Sequence, residues 1–264
     1  MDLRDLGLGP TSLRVRVGRN VKQFPLPGGM HRQDRIALEG LMEKAFSGIW
    51  PAGRYVSLTP GHDKVISQID HQRLANRHIM FKDMSSDPYL VSAGIASDWP
   101  YGRGCYISSD EQVVIWVGEE DHLRIICMKP NSTDLTEVFE RLSDTVRLMD
   151  AAVEFAYSPT YGVITSCPTN IGTAMRASVH LKLPKLTHGG SDAKAKQILE
   201  PMDISLRGVG GEHTPVGVDG TVDISPSARF CITEAAIMAA LYNGIVKVMT
   251  EEDRSQIDQR RYGM

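Results

Sequence analysis

Cysteine is scarce. Cys105, Cys127, Cys167 and Cys231 are too few and too scattered among 264 residues to form a disulfide framework, and no two stand at C-x-x-C spacing. A reducing, cytoplasmic setting is the expectation. Long apolar runs are missing as well. The longest, Ala235 to Tyr242, falls far short of the ~18 residues that span a bilayer. The opening MDLRDLGLGP carries Asp2, Arg4 and Asp5 with no apolar stretch, unlike a signal peptide. Neither sign of charge dominates: 29 Lys and Arg face 32 Asp and Glu, for a net charge of −3. Bulk attraction to nucleic acid or to a membrane surface is therefore not expected, and any bound anion must be caught by a local cluster. No repeat, low-complexity segment or long linker breaks the chain, which reads as one domain.

What is present is periodicity of two kinds. Leu135, Val138, Phe139, Leu142, Val146 and Met149 form one helical stripe, with Asp134 as its cap. Thr233 starts a second helix bearing Ile237, Leu241, Ile245 and Val248, and a weaker third runs from about Arg35 to Phe46. A short one follows Ser191. Strict alternation marks Ser12–Val17, His122–Ile125, Met175–Leu183 and Ile204–Arg207 as strands with one apolar face. Val113–Val117 and Leu123–Met128 flank an acidic tip and read as a hairpin. The expected class is α+β: a large, mainly antiparallel sheet flanked by helices.

The polar faces of those strands carry Arg14, Arg16, Arg124, Arg176 and Arg207. Neighbouring guanidinium groups repel unless an anion lies between them, and arginine suits phosphate through its planar fork. About five of them match a triphosphate. Glycines in Arg207-Gly-Val-Gly-Gly-Glu212 would let backbone amides approach a phosphate, although a tight turn explains them equally well. Glu119, Glu120 and Asp121 form either a solvated turn or a site for a cation, such as nucleotide-bound Mg²⁺ reached through water. Glu120 and Glu212 together could clamp a guanidinium and take its proton. Cys167, with Ser and Thr neighbours, is either a small buried hydrophobe or a thiolate beside that cation.

Several segments resemble the phosphagen (guanidino) kinases, the family of arginine kinase and creatine kinase. They are Glu-Glu-Asp-His-Leu-Arg (119–124), Cys-Pro-Thr-Asn-x-Gly-Thr (167–173), Arg-Ala-Ser-Val-His-x-Lys-Leu-Pro (176–184) and Arg-Gly-x-x-Gly-Glu-His-Thr (207–214). Ser12-Leu-Arg14-Val-Arg16 and Trp99-Pro-x-Gly-Arg-Gly104 fit too. The resemblance implies reversible transfer of the γ-phosphoryl of MgATP to a guanidino nitrogen, with MgADP as product and arginine as the favoured acceptor because Glu212 is present. It implies that Arg14, Arg16, Arg124, Arg176 and Arg207 hold the nucleotide phosphates and that Ser12 also belongs to the nucleotide site. His78, Ser178 and His180 would surround the adenosine, and Asp223 would be a nucleotide-side carboxylate. Glu120 and Glu212 would hold and deprotonate the guanidinium beside Cys167, with no metal ligand supplied directly by the protein. The catalytic domain is expected over 12–250, with 1–11 an extension and 251–264 a tail.

Two departures from the family's pattern are expected to matter. Family members usually begin with a small helical domain that loops over the guanidino substrate, whereas this sequence starts almost at the catalytic segment. Gly210 also replaces an arginine usual in arginine kinases. Three readings therefore stay open: a phosphotransferase for a small guanidino compound, a kinase for protein arginine, and a nucleotide-binding or structural module. An oligomer or a protein partner could stand in for the helical domain.

Overall fold

The computed structural model describes residues 1–8, 11–209, 215–217 and 219–262. In chain order it contains β1 (Ser12–Arg19), α1 (Arg32–Ile49), β2 (Arg54–Ser57), α2 (Gln68–Asn76), α3 (Pro88–Ser92), β3 (Gly104–Ile107), β4 (Val113–Val117) and β5 (Leu123–Pro130). There follow α4 (Leu135–Ala152), β6 (Tyr157–Ser158), β7 (Gly162–Val163), β8 (Met175–Lys182), α5 (Ala193–Leu199), β9 (Ile204–Arg207), β10 (Thr221–Pro226) and α6 (Glu234–Tyr262). Eight strands pair in the order β2-β3-β4-β5-β1-β8-β10-β9, and β6–β7 form a separate ribbon. The neighbours β2–β3, β3–β4, β4–β5, β8–β10 and β10–β9 all run antiparallel. With its helices this is the expected α+β fold. No helix among the described residues is long and apolar enough to cross a membrane.

Alternation shapes the strands as expected. Along β1 every second residue is buried, which leaves Ser12, Arg14 and Arg16 on the half-buried face. The caps hold as well. Asp134 Oδ1 accepts the Thr136 amide at 2.9 Å, and Thr233 Oγ1 accepts that of Ala236 at 3.2 Å. Each such cap typically contributes ~1 kcal/mol. Helix α1 is longer than the apolar stripe alone implied, because His31 donates its backbone N–H to Asp34 Oδ2 (2.9 Å) in a capping box that starts the helix at Arg32.

The chain divides into two compact units. One comprises Met1–Val15, Met128–Arg141 and Arg176–Met264. Its core lies where α5 and α6 cover β9 and β10, through residues such as Leu199, Leu206, Ile224, Leu241 and Ile245. There the buried carboxylate of Glu252 accepts the backbone amides of Lys185 (2.7 Å) and Leu186 (2.8 Å).

The other unit comprises Arg16–Cys127 and Leu142–Met175. In it α1 lies on β3, with Phe46 packed against the rings of Tyr55 and Tyr106. Two arginines are buried there among carbonyls. Arg103 donates to Tyr101 O, Ile95 O and Ser97 O, and Arg35 to Pro27 O, Met30 O and Gly94 O. Burial lowers the Arg103 pKa to about 9, and the nearby Arg35 charge adds to the effect.

Candidate active site

In the second unit the β4–β5 hairpin carries the acidic tip. Its turn depends on Gly118, at φ 73°, where an added Cβ would lie 2.4 Å from Gly102 O. The tip is not a solvated turn. Arg124, opposite Trp116 in the β4–β5 register, sends its Nη2 to Glu120 Oε2 (2.8 Å) and to Glu119 Oε2 (3.0 Å). The contact to Glu119 is an ion pair without hydrogen-bond alignment, so that buried oxygen has no donor. The three side chains are only 14–24% exposed. The Arg124 guanidinium also lies over the Trp116 ring, 5.7 Å from its centroid.

Burial pushes the Glu120 carboxyl above its ordinary pKa. Arg124 pulls the other way, while Glu119 and Asp121 reinforce the rise. Its folded-state preference for the proton brings it closer to the range where a base exchanges protons near neutrality.

Asp121 and His122 are buried in the same tip. Asp121 Oδ1 accepts from Asn20 Nδ2 (2.7 Å) and from the Ser166 amide (2.7 Å). His122 Nδ1 accepts the Val21 amide (2.9 Å), which leaves Nε2–H to donate to Pro25 O (2.8 Å). Asp121 is thus engaged in holding neighbouring segments together. Cys167 precedes a single 3₁₀ turn, Pro168–Asn170, and its Sγ lies 3.0 Å from Thr169 Oγ1. Asn170 Nδ2 reaches Glu120 Oε2 at 3.4 Å, which joins the cysteine loop to the glutamate. Arg16 is close enough to lower the Glu120 pKa, whereas His78 is an exposed residue at φ 57° after α2.

In the first unit the polar face of β8 presents Arg176, Ser178 and His180. On β10, Asp223 stands in register with His180 on one side and Arg207 on the other. Arg207 Nε and Nη2 both lie 2.9 Å from Asp223 Oδ2, and His180 Nε2 lies 3.5 Å from Oδ1. Arg229 joins them, a residue that alternation could not find because it follows β10 in a loop. Its pKa is pushed down to about 10 by burial first, then by the charges of Arg176 and Arg207. Such a crowd of guanidinium groups favours an anion among them. Ser12 and Arg14 belong to this unit through β1. Glu212, with Gly210 and Gly211, lies outside the described residues.

Residues 37–255 match the family described as ATP:guanido phosphotransferase, C-terminal catalytic domain. An arginine kinase from Amphioctopus fangsiao is 37% identical over 256 residues, 96% of this chain and 70% of its own length. An arginine kinase from Anthopleura japonica is 37% identical over 91% of this chain, which spans only 33% of that relative. The substrate-free duplicated taurocyamine kinase from Schistosoma mansoni superposes with a TM-score of 0.82 at 35% identity, over 96% of this chain and 34% of its own. The chain belongs to the ATP:guanido phosphotransferases, the phosphagen kinase family, and carries their C-terminal catalytic domain.

Proposed function

We propose that the chain transfers the γ-phosphoryl group of MgATP reversibly to a guanidino nitrogen, with free arginine the preferred acceptor, and that it does so in the cytoplasm. The observation that carries this reading is the pair Glu119 and Glu120 closed on one guanidinium, that of Arg124, in a partly buried site. Carboxylates placed to hold one guanidinium can hold another.

In the forward direction the guanidino nitrogen attacks the γ-phosphorus and forms a P–N bond. The bond from the γ-phosphorus to its bridging oxygen breaks, ADP leaves, and the proton lost from nitrogen passes to Glu120. Arg14, Arg16, Arg124, Arg176, Arg207 and Arg229 would hold the phosphates, and His180, Ser178 and His78 the adenosine side. Glu212 would be the second carboxylate on the guanidinium, and Cys167 would line its pocket. The donor-free Glu119 Oε2 suits a water carried on nucleotide-bound Mg²⁺, an ion that neutralises phosphate charge. The arginine kinase relatives support arginine as acceptor, and the taurocyamine kinase makes a taurine-derived guanidine the comparison to run.

A coupled assay with MgATP and arginine, creatine, taurocyamine or an arginine-containing peptide tests the proposal. Transfer to arginine that falls about 100-fold or more in Glu120→Gln, without vanishing, is expected. No transfer to any acceptor would overturn it, and transfer to the peptide alone would replace it with a protein-arginine kinase.

A further inference from the structure

We propose that Asn20 is a positioning residue for Glu120; this rests on the role given to Glu120 above. Asn20 is 1% exposed and directly follows β1. Its carboxamide has two N–H donors and one oxygen, and all are used. Nδ2 donates to Asp121 Oδ1 (2.7 Å) and to Ile164 O (3.0 Å), and Oδ1 accepts the His122 amide (2.8 Å). One side chain therefore grips the two residues after Glu120 and the segment after β7 that leads to Cys167. Asp121 Oδ1 extends the grip to the Ser166 amide. Its other oxygen sits only 2.6 Å from where a Cβ on Gly18 would be, so only glycine at that position leaves room for the carboxylate. Val21 continues the pattern by donating its amide to His122 Nδ1.

Glu120 needs this support. Its side-chain partners are Arg124, whose guanidinium phosphate would attract, and Asn170 at 3.4 Å. When nucleotide draws Arg124 away, the location of the carboxylate depends on its backbone. That backbone is fixed by the Gly118 N to His122 O bond (2.9 Å) and by the Asn20 clasp. A displacement of ~1 Å in a reacting group can cost ~100-fold in rate.

The full chain tests this through Asn20→Asp, which keeps the shape, removes both donors and sets a like charge against Asp121. Asn20→Ser serves as a smaller second variant. Each is made alone and with Glu120→Gln, and kcat, KM, the calorimetric affinity for MgADP and the thermal midpoint are measured. The expected result is a fall in kcat of about 30–100-fold with MgADP affinity within about twofold. In the Glu120→Gln background the Asn20 change should cost almost nothing more, because a group that acts through Glu120 has nothing left to position. Losses that multiply in the double variant would overturn the proposal. So would unchanged kcat, or a kcat that falls only in step with MgADP affinity and the folded fraction. No turnover in the unsubstituted chain, or undiminished turnover in Glu120→Gln, would instead sink the functional reading itself.

Discussion

Acid should unfold this protein partly through one imidazole. His122 is wholly buried, and burial lowers its pKa from the ordinary 6.5 to about 4. Its two nitrogens are already engaged as one acceptor and one donor, so a second proton would break the bond from the Val21 amide. The unfolded chain takes up that proton near pH 6.5 and the folded chain only near pH 4. Between those limits the unfolded state holds more protons, and acidification favours it. The contribution is therefore intact above about pH 6.5 and is lost as pH falls toward 4. At ~1.4 kcal/mol per unit the whole shift is worth about 3 kcal/mol, of which about 2 is lost by pH 5. Urea titrations at pH 7.5 and 5.0 on the chain and on His122→Gln isolate this effect, since carboxylates elsewhere act equally on both. The unsubstituted chain should lose about 2 kcal/mol more than the variant. Equal losses, or an imidazole resonance titrating near 6.5, would refute the reasoning.

Arg229→Ala should weaken MgADP binding about tenfold or more by calorimetry, the usual consequence of losing a hydrogen bond to a charged group; unchanged affinity would remove Arg229 from the proposed anion site. Gly118→Ala forces a side chain into a left-handed turn against Gly102 O and should destabilise the fold by more than ~1 kcal/mol in a urea titration. Limited iodoacetamide followed by mass spectrometry should label Cys167 and the exposed Cys231 but spare the buried Cys105 and Cys127, and Cys105 is further protected because burial raises its pKa. MgADP with arginine should then protect Cys167 and leave Cys231 unaffected; equal protection of both would place the guanidinium elsewhere.

Much of this was legible in the sequence because strands write themselves with a period of two. The burial of β1, alternating at every step, and the arginines on its other face are one pattern seen twice. The hairpin was legible differently, as two apolar runs flanking a glycine and an acidic tip, since β4 is buried at every residue. The strands β2 and β3 were not, because each is only four residues long, and Tyr55–Ser57 and Gly104–Ile107 are buried throughout with no alternation to read. Helix α2 is polar enough to hide its period, and only the Ser67 cap, accepting the Asp70 amide, marks its start. At the site, residue types were legible and their engagements were not. Glu119, Glu120 and Asp121 look alike in sequence, yet two face Arg124 and the third is tied to Asn20 and Ser166. Those partners stand some 45 to 101 positions away along the chain, beyond the reach of any local pattern.

Glu252 also acts over a long distance. Its carboxylate fastens the later half of α6 to a turn sixty-seven residues earlier, so the chain between that turn and Glu252 is a loop shut at both ends. A non-covalent staple of this kind limits how far the enclosed segments can part while it holds. It also makes the turn of α6 around Glu252 the fastening of that loop, because Lys185 and Leu186 lose both acceptors when that turn opens. Those two amides should then exchange with solvent at the rate at which α6 opens around Glu252. A version of the chain cut at residue 250 would lose the fastening and should loosen first around Leu183–Thr187, far from the cut in sequence.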